Sequence, residues 1–190
     1  MLATKKGKLV RFNEETVRPV GRNSIGVKGV TLNGADDEVI GMVCVNDPLK
    51  DSLLVVSEKG YGKRSEVEEY RKTNRGAKGV KTINVTEKTG NLIAVKVVQD
   101  DDDLMIINKS GVTIRMKVEE LRVMGRATQG VRLIRLDDDD EIASVAKVEV
   151  DDEEKQSLPI TNTENPEGKS SPDVINPEDK DETSASPDLT

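Results

Sequence analysis

The sequence predicts an all-β chain: about three four-stranded blades over residues 1–150, then a disordered acidic tail over residues 151–190. Three observations lead there. One unit recurs three times without an internal gap. Each copy is flanked by short β-branched or apolar runs that end in turn signals. Past Val150 the composition turns rich in Pro, Ser, Thr and acidic residues.

The repeat is the strongest signal, because internal periodicity determines architecture. The first copy runs Gly7-Lys8-Leu9-Val10-Arg11, then Arg18, Arg22 and Gly26-Val27-Lys28. The second runs Gly60-Tyr61-Gly62-Lys63-Arg64, then Arg71, Arg75 and Gly79-Val80-Lys81. The third runs Gly111-Val112-Thr113-Ile114-Arg115, then Arg122, Arg126 and Gly130-Val131-Arg132. Residues 7–28 map onto 60–81 by an offset of 53, and those onto 111–132 by 51.

Each unit reads as strands. Ser52–Ser57 and Leu104–Asn108 are apolar runs closed by Glu58-Lys59-Gly60 and Lys109-Ser110-Gly111. The next strand carries the first arginine of the unit. After the Gly-Val pair comes another apolar stretch, such as Val80–Val85. A last strand follows a polar loop: Val39–Val45, Leu92–Val98 or Ile142–Val148. Four strands in about 50 residues suits a propeller-type blade, with blades roughly at 1–48, 49–100 and 101–150. Short helical turns fit Glu66–Glu69 and Lys117–Glu120. Three such blades form an open arc with bare strand edges, so the chain is expected to be marginally stable alone or prone to associate.

Composition narrows the function. There is no His and no Trp, and Phe12, Tyr61 and Tyr70 are the only aromatic residues. Without His there is no Ser-His-Asp triad, no His general base and no His-based catalytic zinc. So few aromatics argue against stacking single-stranded bases. Cys44 is the single cysteine; inside Gly41–Val45 it reads as a small buried apolar residue rather than a reactive thiol. No secretory signal pattern follows Met1, and no apolar run approaches the ~20 residues of a membrane helix. The expected location is cytoplasmic.

The net charge of −7 conceals an asymmetry. Residues 151–190 hold 12 acidic and 3 basic side chains; the other 26 basic and 24 acidic ones lie in residues 1–150. A slightly basic body thus carries a tail of −9. The tail holds five of the seven prolines and too few apolar residues to offset the entropy of ordering it.

Four columns of the repeat are basic: Arg11, Arg64 and Arg115; Arg18, Arg71 and Arg122; Arg22, Arg75 and Arg126; Lys28, Lys81 and Arg132. The glycine before the fourth column permits close approach or a positive φ. On an extended chain Arg18, Arg22 and Lys28 share one parity and one face. Clusters recurring at blade spacing suit a repeating polyanion, bound through phosphates rather than base edges. The same arginines also suit structural pairing with Glu14, Glu15, Glu66, Glu68, Glu69, Glu119 and Glu120. Both readings stand at this point, and the unrepeated Lys63, Lys78 and Arg135 fit pure phosphate contact best. The runs 100–103 and 137–140, four aspartates each, lack the calcium-loop pattern and read as solvated turns. Gly60-Tyr61-Gly62-Lys63-Arg64 has neither the spacing nor the hydroxyl of a phosphate-binding P-loop.

The stretches Glu58–Ile83 and Gly125–Leu136, with Gly21–Val30 before them, resemble the last three blades of the carboxy-terminal domain in the DNA gyrase A family. The resemblance covers roughly residues 1–150. It implies a β-pinwheel, a propeller variant whose blades exchange strands, and a role in binding and wrapping duplex DNA for negative supercoiling. It makes all four basic columns, with Lys63, Lys78 and Arg135, candidate DNA contacts. It implies partners in the rest of gyrase A and in gyrase B, and it places ATP and magnesium there, with no cofactor here. A Gln-Arg-Arg-Gly-Gly-Lys-Gly type box has no counterpart. Tyr61 and Tyr70 belong to blade repeats and do not inherit the family's catalytic role, so the chain is expected to be non-catalytic. The A-type component of topoisomerase IV is the related alternative. A protein-interaction propeller with acidic partners is the competing function; an enzyme ranks third.

Overall fold

The computed structural model describes residues 1–137 and 139–148, so the predicted tail lies outside the described residues. The described residues form eleven strands: β1 (Leu2–Thr4), β2 (Lys8–Val10), β3 (Val39–Met42), β4 (Ser52–Ser57), β5 (Tyr61–Glu66), β6 (Val80–Lys81), β7 (Leu92–Val98), β8 (Asp103–Asn108), β9 (Thr113–Lys117), β10 (Val131–Arg132) and β11 (Ile142–Val148). Single 3-10 turns occupy Glu14–Thr16, Val67–Glu69 and Val118–Glu120. The latter two match the predicted helical turns. The first, capped by Asn13 accepting from the Glu15 amide, has no counterpart in the sequence expectations.

The named strands pair antiparallel in three sheets, ordered β3-β1-β2-β6, β10-β5-β4-β7 and β11-β8-β9, and two isolated bridges, Arg11 with Lys72 and Arg64 with Val123, are parallel. The short fourth strand of the first two sheets comes from the following repeat. β6 sets Val80 opposite Leu9 and Lys81 opposite Lys8; β10 sets Val131 opposite Gly62 and Arg132 opposite Tyr61. This is the strand exchange that the family resemblance implies. It corrects the expectation of three four-stranded blades: among the described residues the third sheet has three strands.

The shared geometry of the two junctions explains the Gly-Val pair. Gly79 and Gly130 have φ of +74° and +83°. A Cβ on either would lie 2.5 Å from a carbonyl oxygen, Leu9 for Gly79 and Gly62 for Gly130. No side chain fits between the lent strand and its host, so glycine is required on both counts.

The cores lie between sheets. Leu53 and Val55 of β4 pack with Ala3, Leu9, Tyr70, Ile83, Leu92 and Val95 toward the first sheet. Their neighbours Leu54 and Val56 pack with Leu104, Ile106, Val118, Leu121 and Ile134 toward the third. Alternate residues of a strand face opposite sides. A sheet covered on both faces therefore needs the unbroken run Leu53-Leu54-Val55-Val56, all of it fully buried.

Three expectations need correction. The stretch Val80–Val85 is a strand only at Val80–Lys81; the Thr82 amide adds one last bond to Gly7 O at 2.9 Å, and Ile83 is buried in the core beyond it. The strand from Val39 is regular only to Met42, main-chain pairing ends one residue later where Val43 and Met1 exchange hydrogen bonds, and Cys44 is exposed rather than buried. Residues 17–33 form no strand; the Ser24 amide closes a turn onto Gly21 O, so the shared parity of Arg18, Arg22 and Lys28 does not describe a face.

Candidate nucleic-acid interface

The four basic columns divide by what their side chains touch. In the first column, Arg11 sits just beyond β2 and donates to Val67 O at 2.8 Å and Tyr70 O at 3.0 Å. It thereby caps the 3-10 turn of the next repeat, adding a donor for carbonyls at its end. Arg64 is buried on β5 and pairs with Asp100. Arg115 pairs with Asp103 at 2.6 Å.

The third column is a repeated fastener. Arg75 Nη1 donates to Lys28 O at 2.7 Å, and Arg126 Nη1 donates to Lys81 O at 2.9 Å. Each guanidinium reaches back to the carbonyl of the basic residue one repeat earlier. Arg22, the first-repeat counterpart, is exposed.

The second column is different. Arg18, Arg71 and Arg122 are all exposed, and their side chains make no hydrogen bond or ion pair with another described residue. The same holds for Lys78 and Arg135. In the fourth column Lys28 and Lys81 are both exposed, Lys81 reaching Asn84 Oδ1 at 3.3 Å. Arg132 donates to Tyr61 Oη at 3.1 Å and lies 5.6 Å from the ring centroid.

Lys63 contradicts its assignment as a phosphate contact. It is fully buried; its ammonium donates to Gly125 O at 2.6 Å and Thr128 Oγ1 at 3.2 Å. Burial pulls its pKa down to about 8, partly offset by the Glu69 carboxylate. The reason is positional. Lys63 occupies the column filled by buried Val10 in the first repeat and half-buried Ile114 in the third. That column points inward.

A second basic cluster escaped the repeat logic. Lys88 lies 5.5 Å from the Tyr61 ring centroid, and a second cation, Arg132, approaches the same ring. Hydrogen bonding from Arg132 holds the Tyr61 phenol below its ordinary pKa. Lys59 and Arg135 line the same groove, which also carries Asp137, Asp139, Asp140 and Glu141. Lys88 sits in a loop outside the repeated unit, where the Gly60-Tyr61-Gly62 aromatic was the available clue.

The acidic runs are only partly solvated turns. Asp102 and Asp103 are buried: Asp102 accepts from the Gln99 amide and pairs with Lys147, and Asp103 pairs with Arg115. Asp140 accepts from the Ser110 amide and hydroxyl, and hydrogen bonding helps hold its carboxyl below the ordinary value against its own desolvation. No group of three or more His, Cys, Asp or Glu suited to a metal occurs among the described residues.

Blades in series, two of them completed by a strand from the next repeat, define a β-propeller repeat protein with at least one exposed arginine in every repeat. The family described as DNA gyrase C-terminal domain, beta-propeller, matches residues 1–46, 51–99 and 102–149, and the chain belongs to it. The DNA gyrase A protein of Staphylococcus aureus strain MRSA252 is 45% identical over 179 residues, covering 94% of this chain and 20% of that protein. Its counterpart in strain NCTC 8325 is 42% identical over 200 residues, covering 96% and 22%. The chain thus spans about a fifth of the length of these relatives. Among solved structures, a DNA gyrase A C-terminal domain superposes with a TM-score of 0.65 at 27% identity, over 77% of this chain and 49% of that one. The C-terminal domain of a DNA topoisomerase IV gives 0.72 at 26% identity, over 78% and 46%. No helix among the described residues is long and apolar enough to cross a membrane.

Proposed function

We propose that this chain is a duplex-DNA binding and wrapping module of a type II topoisomerase of the gyrase A kind, serving negative supercoiling and non-catalytic by itself. The observation that carries the reading is the second arginine column: Arg18, Arg71 and Arg122 stand exposed, once per repeat, with no side-chain partner among the described residues, as do Lys78 and Arg135. Side chains that hold a fold are occupied, as Arg75 and Arg126 are; side chains that recur without an internal partner suit an external polyanion. The Tyr61–Arg132–Lys88 cluster adds positive charge. Membership of the gyrase family gives the reading its biological frame: the remainder of gyrase A and gyrase B as partners, ATP and magnesium bound elsewhere, a cytoplasmic location. Tyr70 is buried against Thr82, 2.7 Å between hydroxyls, which supports a structural role for it.

The test is anisotropy titration of a labelled duplex with the intact chain and with Arg71→Glu/Lys78→Glu/Arg122→Glu, each over a range of salt. The expected result is binding whose log–log salt slope flattens by about 0.9 per lost contact, alike for unrelated sequences. Unchanged binding by a folded triple variant refutes the assignment. Binding to acidic proteins with none to duplex DNA would favour an interaction propeller instead.

A further inference from the structure

We propose that the groove at the junction of the second and third repeats binds a small polyphosphate, a ligand with two or more linked phosphoryl groups, through Tyr61, Lys88 and Arg132. The proposal does not depend on duplex binding.

Strand lending assembles the site. β10 sets Arg132 opposite Tyr61, the first residue of β5. Tyr61 is only 8% exposed, yet it lines the groove. Its Oη accepts from Arg132 at 3.1 Å. A phenol that accepts one bond keeps its own hydrogen to donate, and no hydrogen bond from Tyr61 Oη to a described residue takes it up. Lys88 reaches the same ring from the loop after β6, 5.5 Å from the centroid. Hydrogen bonding from Arg132, and then the charges of Arg132 and Lys88, hold the phenol below its ordinary pKa against desolvation. A phenol so polarised is a stronger donor to an anion. An O–H, an ammonium and a guanidinium thus converge on one groove, and each suits a phosphoryl oxygen. Lys59 stands ready for a second phosphoryl group: it lines the same groove and is steadied by donating to Glu87 O at 2.6 Å, with two ammonium hydrogens to spare.

The groove also carries carboxylates, and these narrow the ligand. Asp140 is engaged by Ser110 and Glu141 by Lys109. Asp137 and Asp139 are exposed. They repel a long polyanion laid along the groove. A short polyphosphate brings a magnesium ion, which binds phosphates together with one or two carboxylates. The groove measures about 620 Å3, a volume in the range of small-molecule sites.

The site occurs at one junction only. Lys8 and Val112 occupy the Tyr61 column in the other repeats, and Ala35 stands 53 residues before Lys88. Contacts that serve wrapping recur with the blades; a constellation built once suits a ligand bound once.

The experiment is isothermal titration calorimetry of the intact chain with inorganic triphosphate in magnesium buffer, with ATP and orthophosphate as parallel arms. The variants are Tyr61→Phe, which keeps the ring and removes the hydroxyl, Lys88→Gln, and Lys50→Gln, which removes the same charge at the opposite end of β4. Circular dichroism checks that each retains its β-structure. The expected result is a single triphosphate site, weakened roughly tenfold or more by Tyr61→Phe and by Lys88→Gln, a charged hydrogen bond being lost in each. Lys50→Gln should change affinity by less than about twofold, since screening confines its charge to its own end of the blade. Orthophosphate should bind more weakly than triphosphate. ATP binding as tightly as triphosphate assigns the contact to the phosphate chain, and tighter binding adds the nucleoside; either result supports the site. Absence of triphosphate binding overturns the proposal, as does equal binding of orthophosphate, an unchanged affinity in folded Tyr61→Phe, or equal losses in Lys50→Gln and Lys88→Gln. Duplex binding that weakens in Tyr61→Phe while triphosphate fails to bind overturns it too and gives the groove to DNA. A chain that binds triphosphate but no duplex refutes the wrapping role and leaves this site standing.

Discussion

Arg126 reaches back 45 residues to the carbonyl of Lys81, and Arg75 makes the same contact to Lys28 47 residues earlier. A guanidinium on a main-chain carbonyl is a charge-assisted bond, and here it ties consecutive repeats through their exposed loops.

Arg126→Ala is expected to lower stability by roughly 1–2 kcal/mol, with Arg126→Lys recovering part of the loss. Arg122→Ala, four residues away and exposed, is expected to change stability by less than about 0.5 kcal/mol. Urea unfolding of the three variants checks both statements.

Gly130→Ala is expected to cost more than about 2 kcal/mol, since it combines a positive φ with a Cβ 2.5 Å from Gly62 O. Gly26→Ala has a comparable φ but open surroundings, so its cost should stay near about 1 kcal/mol. Equal costs in thermal or urea melts would mean that close approach contributes nothing.

Lys63 makes stability depend on alkaline pH. Its folded pKa, about 8, lies below the ordinary 10.5. Between those values the unfolded chain binds more protons, so stability rises with pH there; below about pH 8 the buried charge weighs fully against the fold. Relative to Lys63→Met, the intact chain should gain up to about 1.4 kcal/mol per pH unit between roughly pH 8 and 9.5. The Gly125 carbonyl keeps a donor in the variant, the Thr128 hydroxyl at 2.8 Å. Duplex binding by Lys63→Met should match the intact chain, since the ammonium it removes is internal.

The tail of −9 is expected to compete with phosphate for the exposed arginines, because tethering keeps it at high local concentration. Removing residues 151–190 should tighten DNA binding at low salt and leave it unchanged at high salt, where screening removes the competition. Identical curves at every salt concentration would assign the tail a solubilising role.

Much of the fold was legible because β-branched runs and turn glycines mark strands wherever they end up: Ser52–Ser57, Leu92–Val98 and Ile142–Val148 lie where the pattern puts them. Which sheet a strand joins is another matter. Val80–Lys81 has the same local pattern whether it completes its own blade or the preceding one, and residue alternation says nothing about the edge it meets. Lys63 was readable by comparing columns, since Val10 and Ile114 mark its position as internal; considered alone, a lysine beside an arginine suggests surface. Cys44 shows the opposite failure. Its apolar neighbours suggested burial, but the strand ends two residues before it. The Lys88–Tyr61–Arg132 grouping depends on a loop folding back over a strand from another part of the repeat, and sequence spacing does not encode that approach.

Strand lending also sets an order of events during synthesis. The first sheet lacks its last member until Lys81 has left the ribosome, and the second until Arg132 has. Each of these blades therefore waits with one edge bare while the next repeat is made, at a synthesis rate of roughly 5–20 residues per second. For those few seconds a nascent chain offers the same unpaired edge to its neighbours on a polysome that it will shortly close with its own next repeat.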